Sequence, residues 1–211
     1  TLHHDTTEHD PRTSGLLRTV PPEHRASVRL GNWQTGGIGS GQAESITYNL
    51  SADNFDLLLL RYAAVLQDPD HSAQQQPRFR IEVLDADGNS LGACASADFV
   101  ASSTLGWNVA PGDVLWKDWT TVGVDMSQYA GQNVFVRLTT YDCSQSGHYG
   151  YGYFSLGCAS ATIATTSCAA DPTMQMTLSA PEGFNYTWKN TAGQTVGNTK
   201  VLDVASSDTT T

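Results

Sequence analysis

Aromatic side chains are the residues of this sequence whose type and spacing are best suited to binding. Tyr149, Tyr151 and Tyr153 alternate with small or apolar residues, so on a β-strand they project from one face. A tyrosine ring offers an apolar face and a polar hydroxyl, which suits it to stack against a sugar ring. The same alternation is typical of a strand packed inside a β-sandwich, and core packing is the first interpretation of it.

Three tryptophans lie in what the sequence predicts to be a long connection, residues 102–119. They are Trp107, Trp116 and Trp119. Loops of that length are usually functional or mobile, and binding residues are concentrated on loops. The loop is predicted to clamp a glycan or a peptide, or else Trp116 and Trp119 plug the open end of the core. The candidate ligand-binding residues are therefore Trp107, Trp116, Trp119, His148 and Tyr149.

Two histidines have carboxylates close by in the sequence. His148 closely follows Asp142 and Cys143, and His71 lies in an aspartate-rich loop. Such groups could bind a transition metal or transfer protons, but no close ligand spacing supports either, so structural hydrogen bonding is predicted.

Calcium is a possible ion for the aspartate-rich loops. Asp68 with Asp70, or Asp53 with Asp56, could supply oxygen ligands. The run 85–89 (DADGN) has the start of a calcium loop but lacks the distal glutamate, so a hairpin turn is predicted there. No other cofactor is expected.

The sequence contains no recognisable catalytic motif. It has no G-x-S-x-G, no H-E-x-x-H and no phosphate-binding glycine loop, and its five glutamates form no obvious catalytic pair. A net charge of −10 argues against binding to nucleic acid. The unbroken apolar runs, such as Leu57–Leu60, are too short to span a membrane. The chain is predicted not to be an enzyme.

The four cysteines predict disulfides rather than a metal site. Cys94, Cys143, Cys158 and Cys168 show no C-x-x-C spacing, and an even count favours two disulfides and a secreted or cell-surface location. Cys94 with Cys143 would close a loop of about 50 residues and stabilise the fold by roughly 3–4 kcal/mol. Cys158 is expected to pair with Cys168.

The elements that must position these residues are β-strands. Hydrophobic residues make up 39% of the chain and charged residues only 15%, with 19 glycines. Residues 1–24 show no apolar period and are predicted to be an N-terminal arm or linker. Residues 25–165 contain about eight short apolar runs, including Phe55–Leu66, and no helical period. They predict an antiparallel jelly-roll β-sandwich.

Residues 166–211 are predicted to form a second, immunoglobulin-like β unit. The 44 residues from Cys168 to Thr211 hold only three or four strand candidates. A complete immunoglobulin-like sandwich needs about 100 residues, so the unit is expected to be incomplete. The missing strands would come from a longer polypeptide or a neighbouring chain, or the unit is a small self-sufficient one.

Several segments together resemble one known group of proteins. They are PRFRIEVLDADGNSL (77–91), VLWKDWTTVGVDMSQYAGQNVFVRLTTYDC (114–143), GHYGYGYF (147–154) and TLSAPEGFNYTWKNTAGQTV (177–196). They resemble the galactose-binding-like jelly roll of surface-exposed, adhesin-like proteins of the Bacteroidota, which is followed by PKD or immunoglobulin-like repeats. In such repeats the first cysteine can pair with a later one, so the resemblance leaves a second pairing open for Cys168.

These observations predict a non-catalytic, secreted or cell-surface binding module. It would recognise glycan or protein through loops at the end of the jelly roll. One alternative is a structural spacer of a long surface protein with no ligand of its own, and another is an accessory domain of a carbohydrate-active hydrolase.

Overall fold

The computed structural model describes residues 1–34, 41–53, 55–91, 96–102, 106–145, 147–166 and 175–205. In these ranges the chain is all-β, and every strand pair is antiparallel. Two 3₁₀ turns, at Pro11–Thr13 and Ser127–Tyr129, are the helical elements of the described residues. No helix among them is long and apolar enough to cross a membrane.

Two sheets form the sandwich. The first has six strands in the order β1 (Leu2–His3), β2 (Ser27–Leu30), β10 (Gly150–Ala159), β4 (Leu57–Gln67), β8 (Val114–Asp125) and β7 (Asn108–Ala110). The second has four strands in the order β3 (Ala43–Ser51), β9 (Asn133–Tyr141), β5 (Arg78–Leu84) and β6 (Ser96–Val100). The predicted antiparallel jelly-roll sandwich is confirmed.

Strand β4 is central because both of its faces are apolar. Alternate side chains, from Leu58 to Leu66, enter the main core between the two sheets. There they meet alternating residues of β5 and β9, such as Phe79 and Val136. Ala63 and Val65 point the other way, into a second core on the outer face of the six-stranded sheet. A strand that is apolar on both faces therefore needs cover on both, as the run Phe55–Leu66 predicts.

Residues 1–24 supply part of that outer cover. They form β1, the 3₁₀ turn at Pro11–Thr13 and a bridge between His9 and Arg18, and Leu17 is fully buried in the outer core. The sequence shows this segment only as an extended arm, because its sparse apolar residues follow no period.

The predicted tryptophan-rich loop is largely strand. β8 begins at Val114, so Trp116 and Trp119 lie on it rather than on a loop. Val114 to Trp116 pair with Gln67 to Val65 of β4. A bulge follows in β8, where the pairing shifts register between Ala64 and Tyr62. The bulge interrupts the period of two at Lys117–Trp119, which explains why the sequence pattern is lost there.

The predicted disulfides need correction. Cys143 is a buried free thiol and Cys158 an exposed free thiol. Their predicted partners, Cys94 and Cys168, lie outside the described residues. Cys143 Sγ instead lies 3.1 Å from His71 Nδ1 and accepts a hydrogen bond from the amide of Gln145. The number and spacing of the cysteines in the sequence do not reveal these contacts.

The C-terminal residues form two small sheets. One contains β11 (Ala164–Thr166), β12 (Gln175–Ser179) and β15 (Val201–Ala205), and the other pairs β13 (Trp188–Lys189) with β14 (Thr195–Gly197). The predicted strand Phe184–Lys189 is shortened to its last two residues. Before them, the hydroxyl of Tyr186 donates to the carbonyl of Pro181 at 2.8 Å. None of the side chains described from 176 to 204 is fully buried.

Candidate functional site

The three alternating tyrosines are packing residues of the outer core. Tyr149 begins the run, and Tyr151 and Tyr153 are fully buried beneath the N-terminal segment. The hydroxyls of Tyr151 and Tyr153 both donate to Asp10 Oδ2, at 2.8 and 2.7 Å. Burial, and then the negative charge of Asp10, raise the pKa of both phenols. As placed here, these rings have no open face for a ligand.

The three candidate tryptophans do not form one site. Trp107 packs at the edge of the main core, where its ring meets Phe99 and where Lys117 Nζ lies 5.0 Å from the ring centroid. Trp116 and Trp119 belong to the outer core on the opposite face of the sheet. Trp116 is buried, whereas Trp119 is half-buried.

A cleft of about 380 Å³ lies on that outer face, beside Trp119. Its floor is the face of β4 and β8 that carries Arg61 and Thr121, which pair with each other across the two strands. Residues 21–24 of the N-terminal segment form one wall, and Glu182 with Lys200 of the C-terminal unit form the other. The cleft therefore lies where three separate parts of the chain meet.

Charged side chains are fixed across the cleft by a shared carboxylate. Glu182 accepts from Arg61 Nη2 at 2.6 Å and from Lys200 Nζ at 2.9 Å. These two hydrogen bonds lower the pKa of Glu182 to about 2. The Arg61 side chain is only 9% exposed, so its guanidinium depends on this pairing.

Trp119 and the N-terminal wall add an indole ring and the imidazole of His24 to the cleft. Trp119 Nε1 donates to the carbonyl of Arg18 at 2.8 Å, which fixes the indole against the N-terminal segment. Burial, and then the positive charge of Arg61, lower the pKa of His24. The lowered pKa disfavours the charged form of His24. The cleft presents the indole of Trp119 among hydrogen-bond donors and acceptors.

Sequence reasoning identified Trp119 but missed the rest of the cleft. Its members are residues 21–24, 61, 118, 119, 121, 182 and 200, and no motif joins them. The one available signal was Arg61, a single charge within the apolar stretch 57–66. A charge in the middle of a buried strand needs a partner, and that partner proves to be Glu182.

His148, the fifth candidate residue, lies elsewhere, at the end of the sandwich where β9 leads into β10. It forms a cluster with His71 and Cys143, whose ligand atoms all lie within 4.8 Å of one another. Each of the three residues stands out in the sequence, but His71 and Cys143 are 72 positions apart, so their contact could not be predicted from it. Burial, and then the nearby His71, lower the pKa of His148.

The candidate calcium ligands are held in local hydrogen bonds. Asp68 Oδ1 accepts from Gln76 Nε2 at 2.7 Å and from the amide of Asp70 at 2.9 Å. Asp53 accepts from Ser51 Oγ, and Asp56 accepts from the amide of Ala161. Calcium binding by these pairs stays a prediction.

No protein-family model matches the sequence, and no curated protein matches it significantly. Among solved structures, the fold is similar to that of TmCBM61 in complex with β-1,4-galactotriose. The TM-score is 0.39 and the identity 8%, over 75% of this chain and 88% of that one. It is also similar to the VP2 subviral particle of infectious bursal disease virus, with a TM-score of 0.35 and 10% identity, over 62% of this chain and 31% of that one. At this level of similarity neither structure indicates what this chain binds.

Proposed function

We propose that this protein is a non-catalytic, secreted or cell-surface module that binds a glycan in the cleft beside Trp119. The observation that carries the proposal is the combination of a half-buried indole with fixed, oppositely charged side chains in a cleft of about 380 Å³. This places the proposed site on the outer face of the sheet rather than at the end loops that the sequence suggested.

A sugar fits these side chains better than other small ligands do. A pyranose has an apolar C–H face, which stacks on an aromatic ring, and hydroxyls that both donate and accept. Arg61 and Lys200 supply donors, Glu182 supplies acceptors, and Thr121 supplies both. Ligand pockets span about 300–1,000 Å³, so a cleft at the lower end of that range suits a short glycan segment.

The ionised state of Glu182 supports binding without hydrolysis. A glycosidase needs one carboxylic acid whose pKa is raised so that it can protonate the leaving oxygen. Glu182 has the reverse property, because Arg61 and Lys200 lower its pKa to about 2. It is an ionised acceptor over the neutral range and is suited to hold a hydroxyl, not to deliver a proton.

The test is a glycan array followed by titration calorimetry of the full chain with the glycans that bind. Trp119→Ala is expected to weaken binding roughly thirtyfold or more, since loss of a central aromatic contact costs about 2 kcal/mol or more. Trp107→Ala is the matched control, because Trp107 lies on the opposite face of the same sheet. Equal losses in both variants would contradict the cleft as the site.

The competing hypothesis is a spacer with no ligand of its own. The ion pair of Glu182 with Arg61 joins the C-terminal unit to the sandwich, and Lys200 also pairs with Glu182. A purely structural role for these charges would agree with the spacer hypothesis. Absence of binding across an array that includes plant, animal and microbial glycans would favour the spacer over the binding module.

A further inference from the structure

The cluster at the β9–β10 end of the sandwich has the composition of a transition-metal site. His71, Cys143 and His148 each offer one ligand atom, and these atoms all lie within 4.8 Å of one another. His71 Nδ1 is 3.1 Å from Cys143 Sγ, and the two imidazole rings are nearly perpendicular, with centroids 5.4 Å apart.

Backbone hydrogen bonds hold the two contributing loops together. The amide of Cys143 donates to the carbonyl of His148 at 3.0 Å, which closes the turn between these two residues. The amide of Ser144 donates to the carbonyl of Gln75 at 3.1 Å, which joins this turn to the loop that carries His71. Gly147 has a φ of +89°, a conformation that glycine adopts readily, and so lets the chain return to His148.

Two of the ligands are in a state that suits metal binding. Cys143 is fully buried, and its sulfur accepts a hydrogen bond from the amide of Gln145 at 3.3 Å. His148 Nδ1 is buried and has no hydrogen-bond partner among the described residues. A buried nitrogen without a partner is uncommon, and a bound ion is one of the explanations for it.

We propose that His71, Cys143 and His148 bind one Zn²⁺ ion. Thiolate and imidazole together are ligands that zinc prefers, and zinc imposes little geometry of its own. Zn–N bonds of about 2.0–2.1 Å and Zn–S bonds of about 2.3 Å put tetrahedral ligand atoms roughly 3.3–3.6 Å apart. The His71–Cys143 distance of 3.1 Å is already close to that value. The ligand atom of His148 lies within 4.8 Å of the other two and has to move closer on binding.

The proposed site is independent of the glycan cleft. Arg61 lies opposite Ser155 on β10, seven residues beyond His148, or roughly 20 Å along a strand. On binding, the Cys143 thiol loses its proton to solvent and the sulfur forms the bond to zinc. The ion joins the loop after β4 to the turn between β9 and β10, and its fourth position is left for water.

Metal binding is tested on the full chain, reduced and then freed of metal by a chelator. Zn²⁺ is expected to bind at one ion per chain and to raise the melting temperature by roughly 5 °C or more at saturating concentration. Co²⁺, used as a spectroscopic substitute, is expected to give a thiolate-to-metal charge-transfer band that Zn²⁺ removes.

The variants separate this cluster from other metal-binding groups. Cys143→Ser is expected to abolish the charge-transfer band, and His148→Ala to weaken Zn²⁺ binding at least tenfold. Cys158→Ser removes the exposed thiol and His9→Ala an exposed N-terminal imidazole, and both should bind as the unchanged chain does.

Three results would overturn the proposal. They are no band with Co²⁺ in the unchanged chain, a band that persists in Cys143→Ser, or a Cys94–Cys143 disulfide in the chain purified without reductant and digested under non-reducing conditions. The melting shift of the unchanged chain needs no variant, so a variant that fails to fold does not remove the test.

Discussion

Asp10 joins the N-terminal segment to the sandwich through a single carboxylate. Its Oδ1 accepts from the amides of Arg12 and Thr13, and its Oδ2 accepts from the hydroxyls of Tyr151 and Tyr153. The residue is fully buried, so these four donors replace the water that a free carboxylate would bind. The tyrosine run of β10 and the segment before residue 24 therefore depend on each other.

Replacement of Asp10 by alanine is expected to lower the free energy of unfolding by about 3 kcal/mol or more. The change leaves two buried hydroxyls without an acceptor and removes the cap of the 3₁₀ turn. Urea denaturation monitored by tryptophan fluorescence measures the loss. Asp5→Ala is the control, because Asp5 is exposed and bonds locally to Thr7, and it should change stability by less than about 0.5 kcal/mol.

The same two tyrosines predict a loss of stability in alkali. A phenol whose pKa is raised by folding favours the folded state only while it stays protonated. Its contribution is complete below the ordinary pKa of 10.0 and falls as the pH rises above that value. Unfolding free energy should therefore decline above pH 10. Spectrophotometric titration should show two phenols that ionise only with unfolding; ionisation of every tyrosine before unfolding would contradict this prediction.

At the level of elements, two glycines bring the C-terminal unit against β8. The amide of Gly123 donates to the carbonyl of Gly183 at 3.1 Å, and the Phe184 ring lies directly over Gly123. A Cβ atom on Gly123 would lie 2.6 Å from Phe184 Cζ, closer than such atoms approach. The absence of a side chain at Gly123 therefore allows Phe184 to pack against β8.

Gly123→Ala is therefore expected to displace Phe184 and loosen the C-terminal unit without unfolding the sandwich. Hydrogen exchange followed by mass spectrometry should show faster exchange in residues 175–205 and unchanged protection of β4 and β9. Thr120→Ala, an exposed position on the same strand, is the control. Unchanged exchange in both variants would show that this contact does not hold the unit.

Glu182 predicts that the same contact weakens in acid. Its pKa is lowered from 4.5 to about 2 by Lys200 and Arg61, so its stabilising effect is present above pH 4.5 and is lost as the pH falls toward 2. Protection of residues 175–205, expressed relative to the intrinsic exchange rate at each pH, should fall across that range. In Glu182→Gln this fall should be absent, because the amide does not titrate there, whereas Glu23→Gln, exposed on the opposite wall of the cleft, should behave as the unchanged chain.

The sequence predicts the elements better than it predicts what lies on them. The period of two in β5 and the apolar residues on both faces of β4 predict strands, because the type of each residue there reflects whether its side of the sheet is buried. The bulge in β8 and the packing of residues 1–24 depend on partners distant in the sequence, and no local period records them. For the same reason Arg61–Glu182 and His71–Cys143 are invisible as motifs, although every one of these residues stands out by its type.

At the scale of the whole molecule, the described residues of the C-terminal unit form no core of their own. No described side chain from 176 to 204 is fully buried, and Phe184, Val196 and Val201 are exposed. The larger of its two sheets is three strands wide, with β11 and β15 as unpaired edges among the described residues. An incomplete immunoglobulin-like unit, and its completion by another segment, stay predictions.

Because the described C-terminal residues form no core, we expect the sandwich and the C-terminal unit to differ in thermal unfolding when they are produced separately. Units of this size seldom bury enough apolar surface to offset the conformational entropy of folding. Residues 1–163 keep both cores of the sandwich and should melt cooperatively, at a temperature lowered by the loss of Glu182 beside the buried Arg61. Residues 160–211 alone should show no cooperative transition by circular dichroism. A cooperative melt of that fragment at a concentration where light scattering finds a monomer would instead establish a small self-sufficient unit, whereas a melt that rises with concentration would indicate completion by a second copy.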